Sequence, residues 1–189
     1  MRKSEHTELA SLSRLAVLAS REGLSNITYS RAAAAAHLSK GAMQRLFPDK
    51  AALQATVLAH AVKLMRAHIF AYDHIQSLSF ELARTRWADW ISGDAGLPGG
   101  CVLLAAAASR GYSLEIQRAV SAALERLLTD LSTLAIQEKI IAPHDSHDTA
   151  RFKTQQLGLA LALHVAQFLS SPNTELHAQR KIEFALQKR

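Results

Sequence analysis

The segment SRAAAAAHLSKGAMQRLF, residues 30–47, restricts what this chain can become more than any other stretch. Five consecutive alanines at 32–36 favour a helix with almost no side-chain bulk, so a second helix can pack close to its backbone. His37-Leu38-Ser39 then turn the chain, with Leu38 as an apolar plug and Ser39 as the N-cap of a short helix over 40–46. That helix can bury Met43 and Phe47, four apart, while Lys40, Gln44 and Arg45 face outward. Thr28 caps the alanine helix over 29–36, Phe47-Pro48 ends the short one, and Asp49 caps the next. A small-faced helix, a three-residue turn and a polar-faced helix form the pattern of a helix-turn-helix, whose second helix enters the DNA major groove. The same spacing also suits an ordinary corner between two helices of an all-helical protein.

The remainder reads as long helices. A first helix over about 7–22 carries Leu9, Leu12, Leu15, Ala16, Leu18 and Ala19 at three-and-four spacing, and Gly23 suits its left-handed end. Further helices are expected over about 51–71, 74–91, the CVLLAAAASRG segment at 101–111, 113–138 and 149–170, with a last one after Pro172 reaching about 187. The segment from 113 is strongly periodic, with Ile116, Val120, Leu124, Leu127, Leu131 and Leu134 on one stripe. With only 8 glycines and 4 prolines in 189 residues, the chain lacks the turn residues that a β-sandwich requires. The expected fold is therefore all-α with about nine helices. A three-helix N-terminal unit over 1–50 precedes a larger helical unit over 51–189.

Charge is unevenly spread. Residues 1–50 hold eight Lys and Arg against four Asp and Glu, most of the net +6, which suits a part that approaches a polyanion and equally an ordinary mildly basic domain. The single cysteine, Cys101, excludes an internal disulfide and fits a reducing cytoplasm. The start has no apolar signal-peptide core, and the longest apolar run, 157–169, is too short to span a membrane. The sequence thus reads as cytoplasmic, with no membrane partner. No P-loop glycine spacing, paired carboxylates or nucleophile–base pair appears, so no catalytic residue and no cofactor are assigned. His144, Asp145, His147 and Asp148 read as a polar loop with N-capping acids rather than a metal site, and Cys101 reads as a small buried hydrophobe.

Thr28, the alanines at 32–36, His37-Leu38-Ser39, the helix at 40–46, Phe47, Pro48-Asp49-Lys50 and Leu53 follow one another in the register of a known DNA-binding signature. In these residues the chain resembles the tetracycline-repressor-like (TetR) family of bacterial transcriptional regulators. The match covers about 7–60, and GGCVLLAAAASRG after a Trp-containing helix is similar to the ligand-binding half of one subset. The departures are His37 in place of a turn glycine, and Ala42, Gln44 and Leu46 in place of the family's Thr, Tyr and His, which touch phosphates.

The resemblance implies a homodimer on a palindromic double-stranded operator, acting as a repressor relieved by a small-molecule effector. Thr28, Tyr29 and Lys50 are the implied phosphate contacts, with Ser30 near a phosphate or a base. Arg45 and Gln44 can bond guanine and adenine edges bidentately, Lys40 adds charge, and Gly41 and Ala42 permit close approach. An effector pocket is implied among helices four to seven, with Met65, Ile69, Phe70, Trp87, Trp90, Cys101, Leu104 and Ala105 as lining. Leu157, Leu161, Val165 and Phe168 are the expected dimer contacts, beside small Gly158, Ala160 and Ala162. The rival expectation is a helical dimeric small-molecule or lipid-binding protein of the same architecture that does not read an operator.

Overall fold

The chain was analysed as a computed structural model, which describes residues 3–70, 78–142 and 145–170. Among these residues the protein is all-helical: α1 (Lys3–Glu22), α2 (Tyr29–Ala36), α3 (Lys40–Leu46), α4 (Lys50–Ile69), α5 (Phe80–Ser92), α6 (Val102–Ala108), α7 (Leu114–Gln137) and α8 (Ser146–Ser170), with a 3-10 turn at Leu24–Asn26. The expected ninth helix lies outside the described residues, as do positions 74–77 of the helix expected over 74–91.

Local chemistry explains most of the boundaries. The side chains of Thr28, Ser39 and Asp49 accept hydrogen bonds from the backbone N–H of Arg31, Ala42 and Ala52, capping α2, α3 and α4 in turn. At the end of α2, Leu38 N–H donates to Ala33 O at 2.9 Å across His37, whose φ is 56° and ψ 41°. This is the glycine-type helix stop with a histidine in the left-handed position. The turn therefore keeps the backbone that glycine favours, at a strain of about 1–2 kcal/mol.

Helix α1 begins at Lys3 rather than near 7, and two later helix starts also differ from expectation. Helix α5 begins at Phe80 rather than near 74, because Ser79 Oγ accepts from Leu82 N–H. The Phe80 N–H is in turn held by Glu138 Oε1 at 2.7 Å, which pins the start of α5 to the end of α7. Helix α8 begins at Ser146, because Asp145 Oδ1 accepts from the N–H groups of His147 and Asp148. The polar segment expected to be a break thus supplies the cap and first turn of a helix. Asp145 works there as a capping acid, and His144 lies outside the described residues.

One contiguous apolar core runs from Leu15, Ala19 and Met43 through Leu53, Met65 and Leu104 to Leu127 and Leu131. Helix α4 threads it, packing on α1 at one end and on α5, α6 and α7 along its length. The alanines of α2 do what their size permits, with Ala32, Ala33 and Ala36 buried beneath α1. Gln54, buried on α4, donates through Nε2 to Leu24 O at 2.9 Å and so fixes the α1–α2 turn to α4. No helix among the described residues is long and apolar enough to cross a membrane.

Candidate functional site

Helix α3 is anchored by one fully buried side chain, Met43, with half-buried Phe47 behind it. Everything else on it faces out or lies at the edge. Lys40, Gly41, Gln44, Arg45 and Leu46 are exposed, and Ala42 is half-buried. Helical spacing arranges them in three rows one turn long: Lys40 with Gln44, Gly41 with Arg45, and Ala42 with Leu46.

Thr28 and Ser30 at the start of α2 and Lys50 at the start of α4 are exposed too. Lys40, Arg45 and Lys50 make no ion pair among the described residues. The Asp49 carboxylate, beside Lys50, is occupied at 2.7 Å by Ala52 N–H as a helix cap. These cations stand free for an external anion.

Two members of the predicted set have structural duties. Tyr29 Oη donates to Phe47 O at 3.1 Å, so this hydroxyl holds the last turn of α3 against α2. The Thr28 hydroxyl is engaged in capping. Arg31, which the sequence did not single out, pairs with Glu22 at 2.5 Å and ties α2 to the end of α1. Its salience could have been read only from the left-handed Gly23 turn that brings Glu22 back toward α2.

The expected effector lining is mostly closed core. Met65, Ile69, Trp87, Trp90, Cys101 and Leu104 are buried, while Phe70 and Ala105 are half-buried. Cys101 Sγ lies 3.8 Å from Met65 Sδ, and burial pushes the thiol up to about 11, which leaves it a poor nucleophile. The His68 and Trp90 rings meet at a tilt of 38° with centroids 5.6 Å apart, and the Arg66 guanidinium lies over Phe70 at 5.2 Å. Arg66 also meets Asp130 of α7 at 2.5 Å, charge to charge rather than along an aligned hydrogen bond. Inside this shell, His68 Nε2 and Trp87 Nε1 are buried polar atoms with no hydrogen-bond partner among the described residues. Trp87 also borders a shallow open cleft between α5 and α8, with Gln156 and Leu163 on the far wall. Its cavity volume is about 40 Å³, far below the ~300–1,000 Å³ of pockets that enclose a drug-sized ligand.

The expected dimer contacts divide. Leu157 and Leu161 are half-buried and pack against the protein's own core. Val165 is exposed, and the Phe168 side chain lies outside the described residues. The outward apolar surface of α8 is instead Leu159, Leu163, Val165 and Leu169, together with Gly158 and Ala162. From Leu157 onward α8 is apolar nearly all round, so spacing alone did not orient that part.

A loop at 93–100 connects these parts. Gly99 lies against the end of α1, its N–H donating to Ser20 Oγ at 3.1 Å. On the other side, Gln167 of α8 donates to Ser92 O at 2.8 Å. The loop thus touches both the helix that carries α2–α3 and the helix with the exposed apolar face. Among the described residues no cluster of three His, Cys, Asp or Glu side chains is placed to hold a metal ion. Comparison with protein-family models and with curated proteins returns no match to this chain.

Proposed function

We propose that this chain is a dimeric DNA-binding transcriptional regulator of the tetracycline-repressor type, a repressor whose operator affinity is set by a small effector in the helices after α3. The observation that carries this reading is the unpaired cationic surface of Lys40, Arg45 and Lys50 on and beside a helix held by Met43 and Tyr29. Free cations on a rigid short helix suit a phosphate backbone, where Lys50, Thr28 and Ser30 set the register. Arg45 and Gln44 then face guanine and adenine edges. One helix this short reads few bases, so a second copy joined through the outward face of α8 would place two half-sites about 34 Å apart.

The effector acts by differential affinity for two arrangements of the dimer. The contact of Gly99 with Ser20 is the natural path to α1 and the attached α2–α3, and Gln54 ties the same unit to α4.

Fluorescence anisotropy tests the reading, first on DNA from immediately upstream of the gene and then on duplexes from a random-sequence selection. Tight binding at low salt that falls steeply as salt rises, and that Arg45→Ala weakens by about ten- to a hundredfold, is the expected result. Binding to no selected duplex better than to a scrambled one defeats it. That outcome would favour the second reading, a helical ligand-binding protein, which draws on the apolar Ala42 and Leu46 and on the occupied Tyr29 hydroxyl. Sedimentation of the intact chain as a monomer at micromolar concentration would remove the dimer.

A further inference from the structure

Leu46 is 59% exposed at the end of α3, whose other outward positions are Lys40, Gly41, Gln44 and Arg45. Single exposed leucines are common and need no explanation alone. This one has a fixed setting. It shares the outer row with Ala42, one turn earlier, and lies next to Arg45. Phe47 N–H donates to Met43 O and Tyr29 Oη donates to Phe47 O, both at 3.1 Å, so the backbone just after Leu46 is held from two sides.

Gly41 supplies an independent observation. A Cβ there would meet nothing within 4 Å, and its φ is not in the left-handed region, so no internal contact calls for glycine. Glycine within a helix nonetheless weakens it relative to alanine. The surface of α3 is therefore low at 41 and 42, where an external body can reach the backbone. It is high at 45 and 46, where a cation and an apolar side chain stand side by side.

On the floor of the major groove, the one apolar group among the base edges is the C5-methyl of thymine. We infer that the Ala42–Leu46 row recognises thymine methyl groups, and that Leu46 fixes a thymine beside the base read by Arg45. This rests on the DNA-reading function proposed above. It makes the specificity of the chain partly apolar at the position where related signatures place a phosphate-binding histidine.

The test uses the full-length protein and its best selected duplex. Each thymine of a half-site is replaced in turn by deoxyuridine, which removes one methyl and leaves every hydrogen-bonding group. Wild-type affinity should fall on the order of fourfold at one or two positions per half-site. Leu46→Ala should bind the thymine and deoxyuridine duplexes equally at one of those positions while keeping its thermal melt. Wild-type indifference to deoxyuridine at every thymine overturns the inference, and so does a methyl effect that persists undiminished in Leu46→Ala. Both leave the DNA-reading function standing. Absence of any specific duplex brings down that function and this inference together.

Discussion

Gly99, between α5 and α6, and Gly41, in α3, are both exposed glycines, yet a Cβ on Gly99 would lie 2.2 Å from Ser20 backbone atoms while one on Gly41 would meet nothing within 4 Å. At Gly99 the fold itself demands the missing side chain, because the loop runs against the backbone at the end of α1. At Gly41 the fold makes no such demand. The first glycine belongs to the architecture; the second lies on the surface for which a DNA partner is proposed. Exposure alone does not separate the two.

Substitutions can break or sharpen that contrast. Gly99→Ala should have the largest effect. Pushing a methyl into the α1 backbone is overpacking without a flexible neighbour to yield, at about 2–3 kcal/mol. A circular-dichroism melt should show Tm lower by ~5–10 °C, and an unchanged melt would mean that the loop and α1 separate freely. His37→Gly should move the other way. It relieves a left-handed histidine and raises stability in urea by about 1 kcal/mol, less the extra freedom that glycine gives the unfolded chain.

Gly41→Ala is the sharpest arm of the comparison. Stability should rise by up to ~1 kcal/mol, while affinity for a selected duplex falls. A gain in stability with no loss of DNA affinity would leave Gly41 without any role. The smallest effect concerns His60, buried on α4 with Nε2 3.0 Å from Ser13 Oγ of α1. Burial first, and the charge of Lys63 second, hold its pKa below the ordinary 6.5. The unfolded chain then takes up the proton first as pH falls. Stability from the neutral ring is complete above about pH 6.5 and is lost progressively below it. Tm measured at pH 5.5 should lie below that at pH 7.5, and His60→Gln should narrow the gap; an equal gap in the variant would assign the drop to other groups, among them His164, which burial shifts the same way.

Much of the α2–α3 region was legible because its signals are local. Thr28, Ser39 and Asp49 each act within three residues of themselves, and the alanine run determines a slim helix wherever it packs. The cationic residues were legible as types, since only their position on a short helix was needed to turn them outward. Their freedom from acidic partners was not, because the neighbouring Asp49 reads equally well as a pairing partner or a cap until its carboxylate is seen on Ala52 N–H.

Sequence by itself therefore determined the helical class, the caps and the short polar helix, all consequences of backbone propensity and hydrogen bonding over a few residues. Tertiary structure alone decided which side of α8 is outside. From Leu157 onward that helix is apolar on most faces, and the packing of Leu157 and Leu161 against the core rather than Leu159 and Leu163 depends on what α5, α6 and α7 present to it. It alone decided that Gly99 meets Ser20, a contact across 79 residues for which no local pattern exists. Short-range energetics are written along the chain, whereas the partner of a face is settled only when distant elements compete to bury it.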